Sequence, residues 1–184
     1  MPTILTHPAI PLAIGLGLGS AVIPTRLLLA GIIVCILPDL DVIAFKFGIA
    51  YAHDLGHRGA SHSLFFAALI ALLAASAFHF FRASIGKTFS FIFLATASHG
   101  ILDAFTNGGL GIAFFWPFSA TRHFAPMQLI EVSPLSMSRI LSARFGEVML
   151  SELRWIWLPS LILMGVLMLA RRTLSTRQGF SGPR

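Results

Sequence analysis

Charged residues are scarce in this chain: only 11% of its 184 residues are Asp, Glu, Lys or Arg, against about a quarter in an average soluble domain. Acidic residues are the rarest of them, with seven in all, whereas hydrophobic residues make up 56% of the chain. This balance argues against an ordinary soluble protein. It predicts an all-α, multi-span integral membrane helical bundle of about five transmembrane helices, because one span takes about 20 residues.

Cysteine is almost absent as well. Cys35 is the single cysteine and lies in an apolar stretch, so it cannot form an internal disulfide and is predicted to be a small packing residue. No basic region precedes the first apolar stretch, so the N-terminus does not resemble a removed signal peptide. The formal net charge of +6 would suggest nucleic acid in a soluble protein. In a membrane protein basic residues mark the cytoplasmic loops instead, and we expect no nucleic-acid partner.

The apolar residues form five runs, and we predict one membrane span from each: residues 8–23, 27–47, 64–81, 88–106 and 155–170. Pro38 is expected to kink or end the second helix. Ser133 and Pro134 read as the start of a further helix, in which Met137, Leu141 and Phe145 recur at helical spacing. This segment predicts an amphipathic helix at the membrane surface. Residues 1–170 then form a single domain, and the basic residues 171–184 a disordered cytoplasmic tail.

The distribution of charge predicts the orientation of the bundle. With the C-terminal tail in the cytoplasm, seven basic residues and no acidic ones lie on the cytoplasmic side, and the other six basic residues lie opposite with all seven acidic ones. Basic residues are enriched on the cytoplasmic side of membrane proteins, which supports this orientation. We therefore expect a multi-pass membrane protein with a cytoplasmic C-terminus.

His99 and Asp103 are the most informative polar pair in the apolar runs. Four residues apart on a helix, they lie about 40° apart around its axis and can share one metal ion. An ionisable pair inside a membrane segment is costly and indicates a functional site. In the predicted topology most other polar side chains of the runs fall on the same, outward-facing side, which predicts seven metal ligands: His7, Asp39, Asp41, His57, His62, His99 and Asp103.

Imidazoles and carboxylates without a thiolate suit zinc, which we expect first, or manganese or iron. Seven ligands are more than one ion needs, so the sequence is compatible with a site for two or more ions. Glu131 and His123 are weaker candidates. His53 is expected to be a packing residue, and His79 an interfacial or packed one. Simpler interpretations remain: Asp39 and Asp41 as helix caps or partners of Arg58, and His99 with Asp103 as a hydrogen-bonded pair between helices.

The motifs His7, Pro38-Asp39-Leu40-Asp41, His57-Arg58-Gly59-x-Ser61-His62-Ser63 and His99-x-x-x-Asp103 together resemble the YdjM/YbcI family of inner-membrane metal-dependent hydrolases. The resemblance covers about the first 120 residues. It implies that residues 1–170 are a membrane-embedded metal-dependent hydrolase domain. A looser similarity, in the order of His7, Asp41, His57, His99 and Asp103, links the chain to zinc phospholipases C and zinc nucleases.

The chemistry that these resemblances imply is hydrolysis by a metal-activated water, since a bound cation lowers the pKa of its water to about 7. We assign Asp39 or His62 as the base and Arg58 as a clamp for a phosphate oxygen. A site at the outer membrane face would meet membrane lipids directly, so a phosphoester of a lipid or lipid-linked substrate is the expected target. The alternatives are a metal-ion or proton transporter and a non-catalytic metal-binding membrane protein. The sequence does not indicate an oligomeric state.

Overall fold

The computed structural model describes residues 1–133 and 143–179. In these ranges the chain is helical and contains no β-strand, only two isolated bridges. Its α-helices are α1 (Ala9–Leu18), α2 (Thr25–Val34), α3 (Leu64–Ser76), α4 (Phe78–Phe81), α5 (Ile85–Ala104), α6 (Ala143–Glu152) and α7 (Leu158–Gly179). Two 3-10 helices, Leu37–Phe47 and Ala60–His62, lie between α2 and α3, and a π-helical stretch, Leu153–Trp157, joins α6 to α7. The predicted all-helical class is confirmed.

Helix α5 is the centre of the bundle. It packs against α2 and α3, while α1 lies along α7. A cluster of buried apolar side chains fills the space between α2, α3 and α5: Ile23, Leu27, Ala71, Phe91 and Ile92. Gly31 lets α2 approach α5 closely, since a Cβ at this position would lie 2.4 Å from the ring of Phe91. Small residues at such crossings are the usual means of packing helices in membranes.

Three helical stretches are long and apolar enough to cross a membrane: Thr25–Phe47, Ile85–Ala104 and Arg144–Leu174. Ala9–Leu18 and Leu64–Ser76 are apolar but shorter. With 10 and 13 residues they reach only about 15 and 20 Å at 1.5 Å per residue, less than the roughly 30 Å of a bilayer core. The number of five full spans therefore stays a prediction.

The second apolar run changes its helical form where the sequence indicates. Helix α2 ends at Val34, and the 3-10 helix Leu37–Phe47 follows, with Pro38 in its first turn. Proline has no N–H and disfavours the α conformation in the residue before it, so the α-helix cannot continue through this point. The expectation that Pro38 ends or kinks the helix is confirmed.

The C-terminal part shows one continuity and one difference from the sequence prediction. Helix α6 continues through the π-helical stretch into α7, and its position at the membrane surface stays a prediction. The first nine residues of the predicted disordered tail are helical, because α7 extends to Gly179 and residues 166–178 contain no Gly or Pro that would stop it. Residues 134–142, with Met137 and Leu141, and residues 180–184 lie outside the described residues.

Candidate metal centre

Four separate parts of the chain bring polar side chains to one end of the bundle. His7 precedes α1, Asp39 lies in the 3-10 helix after α2, and His62 lies in the 3-10 helix before α3. His99 and Asp103 lie in the last two turns of α5. The convergence follows from the up-and-down order of the helices, since α1 and α3 begin at the end of the bundle where α2 and α5 finish.

These side chains surround one point. Asp39, His62, His99 and Asp103 each offer a ligand atom, and the four atoms lie within 4.8 Å of one another. Nε2 of His62 is 3.6 Å from Oδ2 of Asp103, and Nε2 of His99 is 3.3 Å from Oδ1 of Asp39. His7 completes the group, with its Nε2 3.8 Å from a carboxylate oxygen of both Asp39 and Asp103.

The cluster is buried and short of hydrogen bonds. His7, His99 and Asp103 have no exposed area, and Asp39 and His62 are 3% and 4% exposed. Both carboxylate oxygens of Asp39 and of Asp103, and both ring nitrogens of His7, have no hydrogen-bond partner among the described residues. Each unpaired buried polar atom costs about 1–3 kcal/mol, and charged groups cost more. A cation bound between these oxygens and nitrogens would satisfy them.

Neighbouring groups orient the rings of His99 and His62 through their Nδ1 atoms. The ring of His99 has its Nδ1 2.6 Å from the carbonyl oxygen of Cys35, so Nδ1–H donates this hydrogen bond and the Nε2 lone pair faces the cluster. Nδ1 of His62 lies 3.0 Å from the hydroxyl of Ser61 and 3.2 Å from Oδ2 of Asp41, and its Nε2 also faces the cluster. Metal-binding histidines are normally held in this way through their second nitrogen.

Burial and charge act differently on His7 and His62. Burial lowers the pKa of His7 to about 3, which leaves a neutral ring of the kind that binds metals. Burial also acts to lower the pKa of His62, but the nearby carboxylates of Asp103, Asp39 and Asp41 outweigh it and raise this pKa to about 10. These carboxylates therefore favour a positive charge at the centre, which a bound cation would supply.

Asp41 and His57, two further predicted ligands, form a second group with His62. Asp41 accepts hydrogen bonds from Nδ1 of His57 at 2.6 Å, from the hydroxyl of Ser61 at 2.6 Å and from the backbone N–H of Arg58 at 3.2 Å. Both oxygens of Asp41 thus accept hydrogen bonds, whereas the carboxylate oxygens of Asp39 and Asp103 accept none among the described residues. The first group consequently has the stronger need for a metal ion.

Arg58 is buried and connects the centre to the loop after α5. Its Nε lies 3.2 Å from Oδ2 of Asp103, Nη1 donates to the carbonyl oxygen of Gly108 at 2.6 Å, and Nη2 donates to the hydroxyl of Thr106 at 2.9 Å. Its backbone has a φ of 66°, in the left-handed region. The contacts of its guanidinium are with the protein, and the phosphate clamp stays a prediction.

The other histidines and Glu131 lie away from the centre in the described part of the chain. The backbone of His123 pairs with Ile112, and its ring meets the ring of Phe115 edge-on. The backbone N–H of Glu131 donates to the hydroxyl of Ser151. His53 is exposed, so the packing role expected for it is wrong. His79 is exposed as well, which excludes packing and leaves its interfacial position a prediction. Neither of the two groups suited to a metal includes any of these four side chains.

Sequence reasoning missed Glu152. Its side chain is 1% exposed and accepts hydrogen bonds from the backbone N–H and hydroxyl of Thr3 and from the hydroxyl of Thr6. The available signal was a carboxylate immediately before an apolar run, a position that brings it close to a membrane span. The chain from Thr3 to His7 is thus attached to the C-terminal helix.

The fold and the site define a multi-span helical membrane protein with a buried His/Asp cluster that could hold a metal ion. The family model described as YdjM inner membrane protein matches residues 1–176, and the chain belongs to this family. Inner membrane protein YbcI of Escherichia coli (strain K12) is 50% identical over 173 residues, which cover 94% of this chain and 100% of YbcI. No solved structure matches. The resemblance drawn from the first 120 residues is confirmed and extends further along the chain.

Proposed function

We propose that this chain is a membrane-bound, metal-dependent hydrolase that acts on a phosphoester of a lipid or lipid-linked substrate. The observation that carries the proposal is the set of buried carboxylate oxygens of Asp39 and Asp103, which lie among three imidazoles and have no hydrogen-bond partner among the described residues. Three nitrogens and two carboxylates form a donor set of the kind that zinc accepts, with manganese and iron as alternatives. The ligands in this proposal are His7, Asp39, His62, His99 and Asp103.

A divalent cation bound here would supply hydroxide at neutral pH and neutralise charge on the attacked group. The surrounding residues then have separate tasks. Asp39 is the better candidate for the base, because neither of its oxygens has a hydrogen-bond partner, whereas Nδ1 of His62 is engaged by Ser61 and Asp41. Arg58 holds Asp103 through its Nε.

The position of the centre supports a lipid-derived substrate. All four ligand-bearing segments meet at the ends of apolar helices, where the headgroup region of a bilayer is expected to begin. We place this end on the outer face of the inner membrane, because that orientation leaves the cytoplasmic loops basic and without acidic residues. The phosphate ester of a lipid in this headgroup region would lie next to the site while its acyl chains stay in the membrane.

The first test is the metal content of detergent-purified protein by elemental mass spectrometry, with wild type beside Asp103→Ala and His79→Ala. We expect stoichiometric zinc, manganese or iron in wild type and in His79→Ala, whose exposed ring lies in α4, and loss of the metal in Asp103→Ala. Wild type without metal, even after incubation with each ion, would remove the chemical basis of the proposal.

Hydrolysis is tested next, with phospholipids and soluble phosphodiesters as substrates for the metal-loaded protein. The complete burial of the cluster favours a second candidate, a non-catalytic metal site, because a substrate reaches it only after a covering segment moves. Metal-dependent release of phosphate or headgroup that is lost in Asp39→Asn supports the hydrolase. Tight metal binding without turnover of any substrate supports the second candidate, and metal uptake into proteoliposomes would indicate transport instead.

A further inference from the structure

The segment that carries His7 makes three hydrogen bonds to one carboxylate, that of Glu152. Thr3 and Thr6 lie on one turn, with the N–H of Thr6 donating to the carbonyl oxygen of Thr3, and the N–H of Ala9 donates to the carbonyl oxygen of Thr6 as α1 begins. Both threonines donate hydrogen bonds to Glu152. His7 follows Thr6 directly. The hydrogen bonds between this turn and Glu152 therefore help to determine the position of the backbone from which the His7 imidazole extends.

Glu152 is an unusual residue for its place. It is 1% exposed, and no salt bridge to it is found between the described side chains. It also lies in a helical stretch apolar enough to span a membrane, Arg144–Leu174. Its hydrogen-bond donors are neutral, so the carboxylate is retained at an energetic cost, and such a residue generally has a function. Glu152 is absent from both groups of residues suited to a metal.

We propose that Glu152 is a positioning residue that places the imidazole of His7 against Asp39 and Asp103, and so completes the metal centre. Trp157 supports the same turn, since its Nε1 donates to the hydroxyl of Thr6 at 3.3 Å. This inference depends on the metal-binding part of the proposed function and not on hydrolysis. Its effect reaches the centre only through His7, and this restriction distinguishes positioning from a general structural role.

The bundle retains other contacts without Glu152. Ala9, Leu102, Ile130 and Ile156 form a buried apolar cluster at this end, which keeps α1 against the C-terminal helix. The loss of Glu152 is therefore expected to loosen residues 3–7 and to leave the bundle folded. Glu147 offers a matched control, because it is an exposed carboxylate on the same helix, α6.

The test is the zinc affinity of detergent-purified protein, measured by competition with chelators, for Glu152→Ala in two backgrounds, wild type and His7→Ala. Loss of a residue that orients a ligand typically lowers metal affinity by about 10–100-fold. We expect at least about a tenfold loss with His7 present and little change in the His7→Ala background. Glu152→Gln should recover part of the affinity because its amide oxygen still accepts a hydrogen bond, and Glu147→Ala should match wild type.

An equal loss in both backgrounds, or no loss with His7 present, would overturn the inference. If wild type or His7→Ala binds no zinc, hydrogen exchange of the amides of residues 3–9 decides instead. Faster exchange there in Glu152→Ala than in Glu147→Ala supports the attachment of the His7 segment, and unchanged exchange refutes it. Failure of the metal-binding proposal is visible separately, as absence of metal from wild type.

Discussion

Replacement of Asp39 by Asn is expected to have opposite consequences with and without metal. The carboxylate of Asp39 is buried, and its two oxygens have no hydrogen-bond partner among the described residues. Its neighbours His7, His62 and His99 lie 3.8, 3.8 and 3.3 Å away. In metal-free protein Asp39→Asn replaces a buried charge with a neutral amide of similar shape, which is cheaper to bury. We expect the free energy of unfolding to stay within about 1 kcal/mol of wild type, or to rise.

In the presence of metal we expect the opposite order, with wild type more stable than Asp39→Asn. An ion present at 100 times its Kd stabilises the folded state by about 2.7 kcal/mol. For a chain of 184 residues, each kcal/mol changes Tm by about 2–4 °C, so zinc should raise the Tm of wild type by about 5–11 °C. Asp39→Asn should gain little, because it removes an anionic ligand from the centre.

The assay is thermal unfolding in detergent followed by tryptophan fluorescence, with chelator and with zinc. Asp54→Asn is the matched control, since Asp54 is exposed in the loop before His57 and should behave like wild type. A chelated Asp39→Asn protein that melts far below chelated wild type would show that Asp39 has a structural role. Equal zinc shifts in wild type and variant would refute the assignment of Asp39 as a ligand.

Two further predictions follow from the contacts around the centre. Asp41→Asn should weaken zinc affinity by about 10–100-fold without abolishing binding, because Asp41 orients His57 and His62; complete loss of the metal in a chelator titration would make Asp41 a ligand. Gly109→Ala should lower Tm and zinc affinity together, since Gly109 has a φ of +90° and a Cβ there would lie 2.6 Å from Nη1 of Arg58. Gly86→Ala is the control, because a Cβ at Gly86 would have no atom within 4 Å. An unchanged zinc affinity in Gly109→Ala would show that Arg58 does not influence the metal centre.

The sequence was sufficient to predict the class of the protein and the residues that converge. His99 and Asp103 are spaced to share a helix face, and the alternation of apolar runs predicts that His7, Asp39 and His62 reach the same end. Their proximity in the structure agrees with that prediction. Whether all seven predicted ligands hold a metal stays a prediction. Six of them form two groups that share His62, and His7 lies beside the first group, 3.8 Å from Asp39 and Asp103.

What the sequence did not indicate depends on contacts between distant parts of the chain. Glu152 meets Thr3 and Thr6 across almost the whole length of the sequence, and no local pattern predicts such a pairing. The carbonyl oxygen of Cys35 accepts from His99 because α2 ends there, a backbone contact that side-chain motifs do not encode. The helical tail was missed because composition alone suggested disorder, whereas a long apolar helix extends readily into adjacent residues that permit helix formation.

The helical form after Pro38 explains how one short motif serves two purposes. In an α-helix, residues two apart lie about 160° apart around the axis, but in a 3-10 helix, with three residues per turn, they lie about 120° apart. Asp39 and Asp41 occupy such a 3-10 helix and approach His62 from its two ring nitrogens, with Asp41 3.2 Å from Nδ1 and Asp39 3.8 Å from Nε2. Asp41 therefore orients the ring while Asp39 faces the centre. Because Pro38 ends the α-helix, it contributes to the site by allowing this 3-10 geometry.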